Sequence, residues 1–235
     1  MNNQDKTPEG ITPNLPLWSY QLQQDSKLAV KTRKDLEIHL ITRVLKDEGF
    51  RQELVANPKT VMEKELGAKL PEELEIKVLE ETEDTLYMVL PCNPYEGISE
   101  EELQASLGMT YEDVALWVLE QQRNALLDEE SNVTIMAQAW RDEAFKQELL
   151  NNPIKAIEKK LGEKIQKEIQ GIQLQMFTET SSILFMVLPN KALIQAEPAI
   201  INSLINMPMV VGSGLVGPKG PQSTRSSGIC RPEMS

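Results

Sequence analysis

Phe50-Arg-Gln-Glu-Leu-Val-Ala-Asn-Pro-Lys-Thr-Val-Met-Glu-Lys-Glu-Leu-Gly67 returns 95 residues later as Phe145-Lys-Gln-Glu-Leu-Leu-Asn-Asn-Pro-Ile-Lys-Ala-Ile-Glu-Lys-Lys-Leu-Gly162. Ten of the eighteen positions are identical. Each copy then closes on one hydrophobic word, Tyr87-Met-Val-Leu-Pro91 in the first and Phe185-Met-Val-Leu-Pro189 in the second, with three residues inserted between the two anchors of the second copy. Matching blocks in matching order indicate tandem duplication of one small unit. A unit of roughly 55 to 60 residues lies near the lower limit for independent folding, so the copies are expected to lean on each other or on the segment between them.

Outward from this repeat, the pattern gives the elements. Leu36, Leu40, Ile41, Val44 and Leu45 share one helical face, with His39 on the polar side. Asn57 is a candidate N-cap, Pro58 fits the first helical position, and Gly67 is a C-terminal stop; Asn152, Pro153 and Gly162 repeat the device. Leu74-Glu-Ile-Lys-Val-Leu-Glu80 alternates apolar and charged residues as a half-buried strand does. Residues 81–84 can turn the chain into Thr85-Leu-Tyr-Met-Val-Leu90, and the second copy offers Ile172-Gln-Leu-Gln-Met-Phe177 and Ile183-Leu-Phe-Met-Val-Leu188. Each unit therefore reads as helix–helix–β-hairpin, and a hairpin alone is marginal without helices or another strand to cover it.

Between the units, Ser99-x-x-Glu102 and Thr110-x-x-Asp113 have capping-box spacing, the Asp form being the weaker. They read as a helical spacer. The predicted fold is α+β: two tandem helix–helix–β-hairpin units joined by that spacer, with disordered termini. Its divisions are a flexible arm over 1–33, a first repeat over 34–92, the spacer over 93–129, a second repeat over 130–190 and a tail over 191–235. The arm is broken by Pro8, Pro13 and Pro16, and Leu15, Leu17, Trp18 and Leu22 are its apolar cluster.

The charge is unevenly distributed. The chain carries a net −12, whereas residues 200–235 hold Lys219, Arg225 and Arg231 against Glu233 alone. An acidic body argues against nucleic acid as a partner. No apolar run is long enough to cross a bilayer, and the polar start has no signal-peptide core, so cytoplasmic residence without membrane insertion is expected. With one His there is no base-plus-nucleophile constellation. No Gly-rich loop follows a strand, and Cys92 and Cys230 stand far apart as free thiols. The residues predict neither an enzyme nor a cofactor.

Two stretches resemble a known family. Arg43-Val-Leu-Lys-Asp-Glu-Gly-Phe-Arg-Gln-Glu-Leu-Val-Ala-Asn-Pro58 with Glu80-Glu-Thr-Glu-Asp-Thr-Leu-Tyr-Met-Val-Leu-Pro91 is similar to the nitrile-hydratase-like leader peptide (NHLP) family. Gln138-Ala-Trp-Arg-Asp-Glu-Ala-Phe-Lys-Gln-Glu-Leu-Leu-Asn-Asn-Pro153 repeats the pattern, close to nitrile hydratase α-subunit wording. The resemblance implies a proteusin-type precursor of a ribosomally made, post-translationally modified peptide (RiPP). Its leader would be recognised by modifying enzymes, and its C-terminal core released by a peptidase-transporter.

The hydratase metal motif is a clustered Cys-x-x-Cys-Ser-Cys after the strand. Here Pro91-Cys92-Asn93-Pro94 and Pro189-Asn190-Lys191 stand in its place, so metal binding and nitrile hydration are expected to be absent. On this reading Ser223, Thr224, Ser226, Ser227 and Cys230 are the candidate modification sites. The region Gly212, Ser213 and Gly214 is the candidate cleavage region. Phe50, Leu54, Tyr87, Val89, Phe145, Leu149, Phe185 and Val187 are the candidate leader-recognition residues. A non-catalytic hydratase-like adaptor is the competing reading.

Overall fold

The computed structural model describes residues 33–121, 127–162 and 171–190. In chain order these form α1 (Arg33–Lys46), α2 (Glu48–Ala56), α3 (Pro58–Leu66), β1 (Glu75–Glu80), β2 (Thr85–Leu90), α4 (Glu100–Leu107) and α5 (Tyr111–Gln121). They continue with α6 (Glu129–Arg141), α7 (Glu143–Asn151), α8 (Pro153–Leu161), β3 (Gln173–Thr178) and β4 (Ile183–Leu188). The fold is α+β, and α1–α3 recur as α6–α8. The proposed N-terminal arm, apart from Arg33, and the tail lie outside the described residues.

The helix punctuation is local and mostly follows from the sequence. Gly67 and Gly162 end α3 and α8 in the left-handed region, at φ 70° and 71°, where a residue without Cβ carries no steric penalty. Asn57 is shared between two helices. Its N–H donates to the Glu53 carbonyl to close α2, and its own carbonyl accepts from Val61 N–H to begin α3. Its side chain makes no capping bond, nor does that of Asn152. Side-chain caps do form one helix earlier in each copy, at α2 and α7: Asp47 accepts from Phe50 N–H, and Asp142 from Ala144 and Phe145 N–H. Thr110 and Asp113 form the full reciprocal box: Asp113 N–H donates to Thr110 Oγ1 and Thr110 N–H to Asp113 Oδ2.

The strands do not form hairpins. β1 pairs with β4, and β2 with β3, both parallel, in two two-stranded sheets. This corrects the hairpin reading. Four residues suffice to turn a chain into an antiparallel partner, but a parallel ladder needs a crossover of a dozen or more. With only residues 81–84 or 179–182 between its strands, neither copy can pair its own strands in this way, and each draws its neighbour from the other copy.

Two cores result. The first gathers Leu36, Leu40, Ile41, Phe50, Leu54, Val61 and Leu66 of the first copy's helices with Ile76 of β1 and Leu184, Met186 and Leu188 of β4. The second gathers Ile135, Phe145, Leu149 and Ile157 with Leu174 and Met176 of β3, Met88 and Leu90 of β2, and Leu103, Tyr111, Val114 and Val118. Each core therefore holds one copy's helices, that copy's first strand and the other copy's second strand. The presumed spacer is part of the second core: Leu103 and Val114 are fully buried there, and Tyr111 stacks edge-on against Trp140 at 6.4 Å.

Candidate functional site

Strand alternation sends one face of each sheet into a core. Along β1 and β4 the other face carries Glu75, Lys77 and Leu79 beside Ile183, Phe185 and Val187, and along β2 and β3 it carries Thr85, Tyr87 and Val89 beside Gln173, Gln175 and Phe177. The aromatic residues of these faces meet. Phe177 lies 5.8 Å from Tyr87 and 5.1 Å from Phe185, ring centre to ring centre, at tilted angles. Leu79, Tyr87, Val89, Phe177 and Val187 are all half-buried, while Phe185 is closed off. Both copies contribute to this apolar face.

The outer edge of β4 is sealed beside it. Phe185 N–H donates to Glu179 Oε1 at 3.0 Å, and Arg33 Nη2 donates to the Phe185 carbonyl at 2.6 Å. Arg33 also bonds Glu179 at 2.8 Å and Glu37 at 2.6 Å. All three charged side chains are buried, so the cluster stands in for a neighbouring strand, satisfying a donor and an acceptor that a ladder would otherwise pair. Burial alone would depress the Arg33 pKa, but Glu179 and Glu37 outweigh it and hold the guanidinium above its ordinary value. Glu81, equivalent to Glu179 in the repeat, accepts more loosely from Tyr87 N–H at 3.4 Å. The position equivalent to Arg33 is Asp128, which caps α6 instead. The symmetry is broken at this point.

Cys92 follows β2 and is half-buried; burial, with Glu179 next in weight, pushes its thiol up to about 11. A thiol so raised is protonated at neutral pH and is a poor nucleophile. Among the described residues no group of three or more His, Cys, Asp or Glu is placed to hold a metal ion. No helix there is long and apolar enough to cross a membrane. Its neighbour Pro91 is clamped from the second copy, the Trp140 indole N–H donating to its carbonyl at 3.1 Å.

The sequence-predicted recognition residues divide in two. Phe50 and Leu54 are buried in the first core, and Phe145 and Leu149 in the second. Tyr87, Val89, Phe185 and Val187 converge on the face between the sheets. Phe177, which joins their rings, and Arg33, which seals the edge, were not singled out from sequence. The candidate modification sites Ser223, Thr224, Ser226, Ser227 and Cys230, and the cleavage region Gly212 to Gly214, lie outside the described residues.

Residues 42–113, from the middle of α1 to the start of α5, match the family described as nitrile hydratase, alpha chain. The chain carries a nitrile hydratase α-like segment. That segment includes β2, which is packed into the second copy's core. A curated relative, polytheonamide B of Bacterium symbiont subsp. Theonella swinhoei (strain pTSMAC1), is 34% identical over 84 residues. The match takes in 34% of this chain and 57% of that relative's own length. No solved structure matches.

Proposed function

We propose that the protein is the precursor of a ribosomally synthesised, post-translationally modified peptide. The nitrile hydratase α-like body over residues 33–190 is the leader that modifying enzymes recognise, and residues 191–235 contain the substrate. The observation that carries this reading is the match to polytheonamide B, in agreement with the NHLP-like wording of both repeats. The composition also divides between body and tail. The body holds two apolar cores, whereas residues 200–235 have five Gly, four Pro and no aromatic side chain, a sequence that builds no core.

A folded leader supplies affinity and keeps an attached substrate at high effective concentration near the enzyme. The half-buried face of Leu79, Tyr87, Val89, Phe177 and Val187 is the proposed contact. The protein itself would be non-catalytic: Cys92 is one thiol where the hydratase wording has a cluster, and Asn190 stands at its counterpart in the second copy. Cytoplasmic synthesis in a bacterium, release by a peptidase and export of the processed tail complete the scheme.

The test is intact and tail-resolved mass spectrometry of the full chain, isolated after co-expression with candidate peptide-modifying enzymes. Mass changes confined to residues beyond about 195, on Ser223, Thr224, Ser226, Ser227 or Cys230, are expected. An unmodified, uncleaved tail in the presence of those enzymes sinks the reading in favour of the adaptor.

A further inference from the structure

The two ladders are related by an internal two-fold exchange. Glu75 pairs with Ile183 and Thr85 with Gln173. In the aligned repeats Gln173 is the counterpart of Glu75 and Ile183 the counterpart of Thr85, each 98 residues on. Swapping the copies therefore converts one pairing into the other, and the same holds at the far ends, for Glu80 with Leu188 and Leu90 with Thr178. The carbonyls of Leu188 and Leu90 then accept from the N–H of Glu81 and Glu179, which are themselves counterparts.

We propose that the chain is a covalently fused, strand-exchanged dimer: the two repeats are held to each other by the exchanged strands, and the partner that completes each repeat is the other repeat. The topology requires this. Because a four-residue connection cannot close a parallel ladder, a repeat has no way to supply its own second strand in this arrangement. Without the exchange the first core loses Leu184, Met186 and Leu188, and the second loses Met88 and Leu90. A single repeat standing alone would satisfy the same geometry with a second copy of itself, an isologous pairing of the kind closed dimers use. Fusion raises the partner's effective concentration and removes the dependence on protein concentration.

Neighbouring parallel strands lie about 4.8 Å apart, within the Cα separations of about 4.4–6.8 Å that a disulfide spans. The test uses the full chain with Cys92→Ser and Cys230→Ser. A protease site is inserted among residues 122–126, and one of two cysteine pairs is added: Glu75→Cys with Ile183→Cys, or Thr85→Cys with Gln173→Cys. Each pair joins the two fragments only if the strands are exchanged. After mild oxidation and cutting, each is expected to run as one covalent band that reduction splits in two.

Packing of α5 on α6 can keep cut fragments together without exchange, so co-elution alone is not the readout. If the insertion prevents folding, the same pairs in the uncut chain close loops that shift gel mobility. Absence of either disulfide from protein that retains its helical circular dichroism overturns the proposal.

Discussion

Arg33 joins the two copies at a single point, where its guanidinium donates to Glu37 on its own helix, to Glu179 and to the carbonyl of Phe185. Removing one member of a buried ion cluster leaves the remaining charges uncompensated, an effect of about 3–5 kcal/mol. Arg33→Met, measured by urea denaturation, is therefore expected to lower stability by that amount. Glu179→Gln, which keeps an acceptor for Phe185 N–H, is expected to lose less. Arg141 illustrates the exposed counterpart. It binds Glu100 and Glu112 and holds both carboxyls below the ordinary range, chiefly through its hydrogen bonds to them. A depressed carboxylate pKa means that the unfolded chain binds more protons, so the stabilisation is full above the unfolded value near pH 4.5 and is lost as pH falls through the folded value. Arg141→Ala is expected to flatten the stability–pH slope below the ordinary glutamate value near pH 4.5, a modest effect that added salt diminishes, since these groups are partly exposed and screened.

At the scale of the element, sequence and structure part where the physics becomes non-local. Asn57-Pro58 and Gly67 mark helix ends correctly because caps are settled within one turn of chain. Yet the Asn57 side chain makes no cap bond, whereas Asp47 and Asp142 do. Asp142→Ala is expected to cost about 1 kcal/mol and Asn57→Ala less than half that, both read as shifts in the urea midpoint. Strand alternation was legible in β1, where Ile76 faces a core as the period of two requires, but Thr85–Leu90 is apolar on both faces and its sequence does not say which side is buried. Which strand lies alongside was not legible. Alternation fixes the faces of a strand but carries no information about its neighbour, and a short connection suggests a hairpin by default. The same limit hid the edge seal: Arg33 sits at the boundary of a polar arm, and its partner Glu179 is 146 residues away. Similarly, Phe50 and Phe145 stand out in the repeat because they pack, and nothing in the repeated wording separates a residue kept for a core from one kept for a contact.

For the whole molecule, strand exchange changes which repeat's core the last strand lies on. The chain leaves β4 at Leu188, the last residue before Pro189, and although β4 belongs to the second repeat it lies on the first repeat's core, paired with β1. The described part of β4 therefore ends against α1–α3 rather than α6–α8. Val55 on α2 and Leu116 on α5 are the two exposed large hydrophobic side chains among the described residues, and they provide a matched comparison. Val55→Glu places a charge on the first repeat, and Leu116→Glu places one on the connecting helices. Both side chains are exposed, so both chains are expected to keep their thermal midpoints within a few degrees, as surface changes generally do. In co-expression with the modifying enzymes, both variants are expected to leave the modified fraction of the tail near the parent level, by intact mass, because neither residue lies on the proposed contact face of Leu79, Tyr87, Val89, Phe177 and Val187. A several-fold loss in either variant, with the fold intact, would move docking from the strand face to the α2 or α5 surface and overturn the proposed contact.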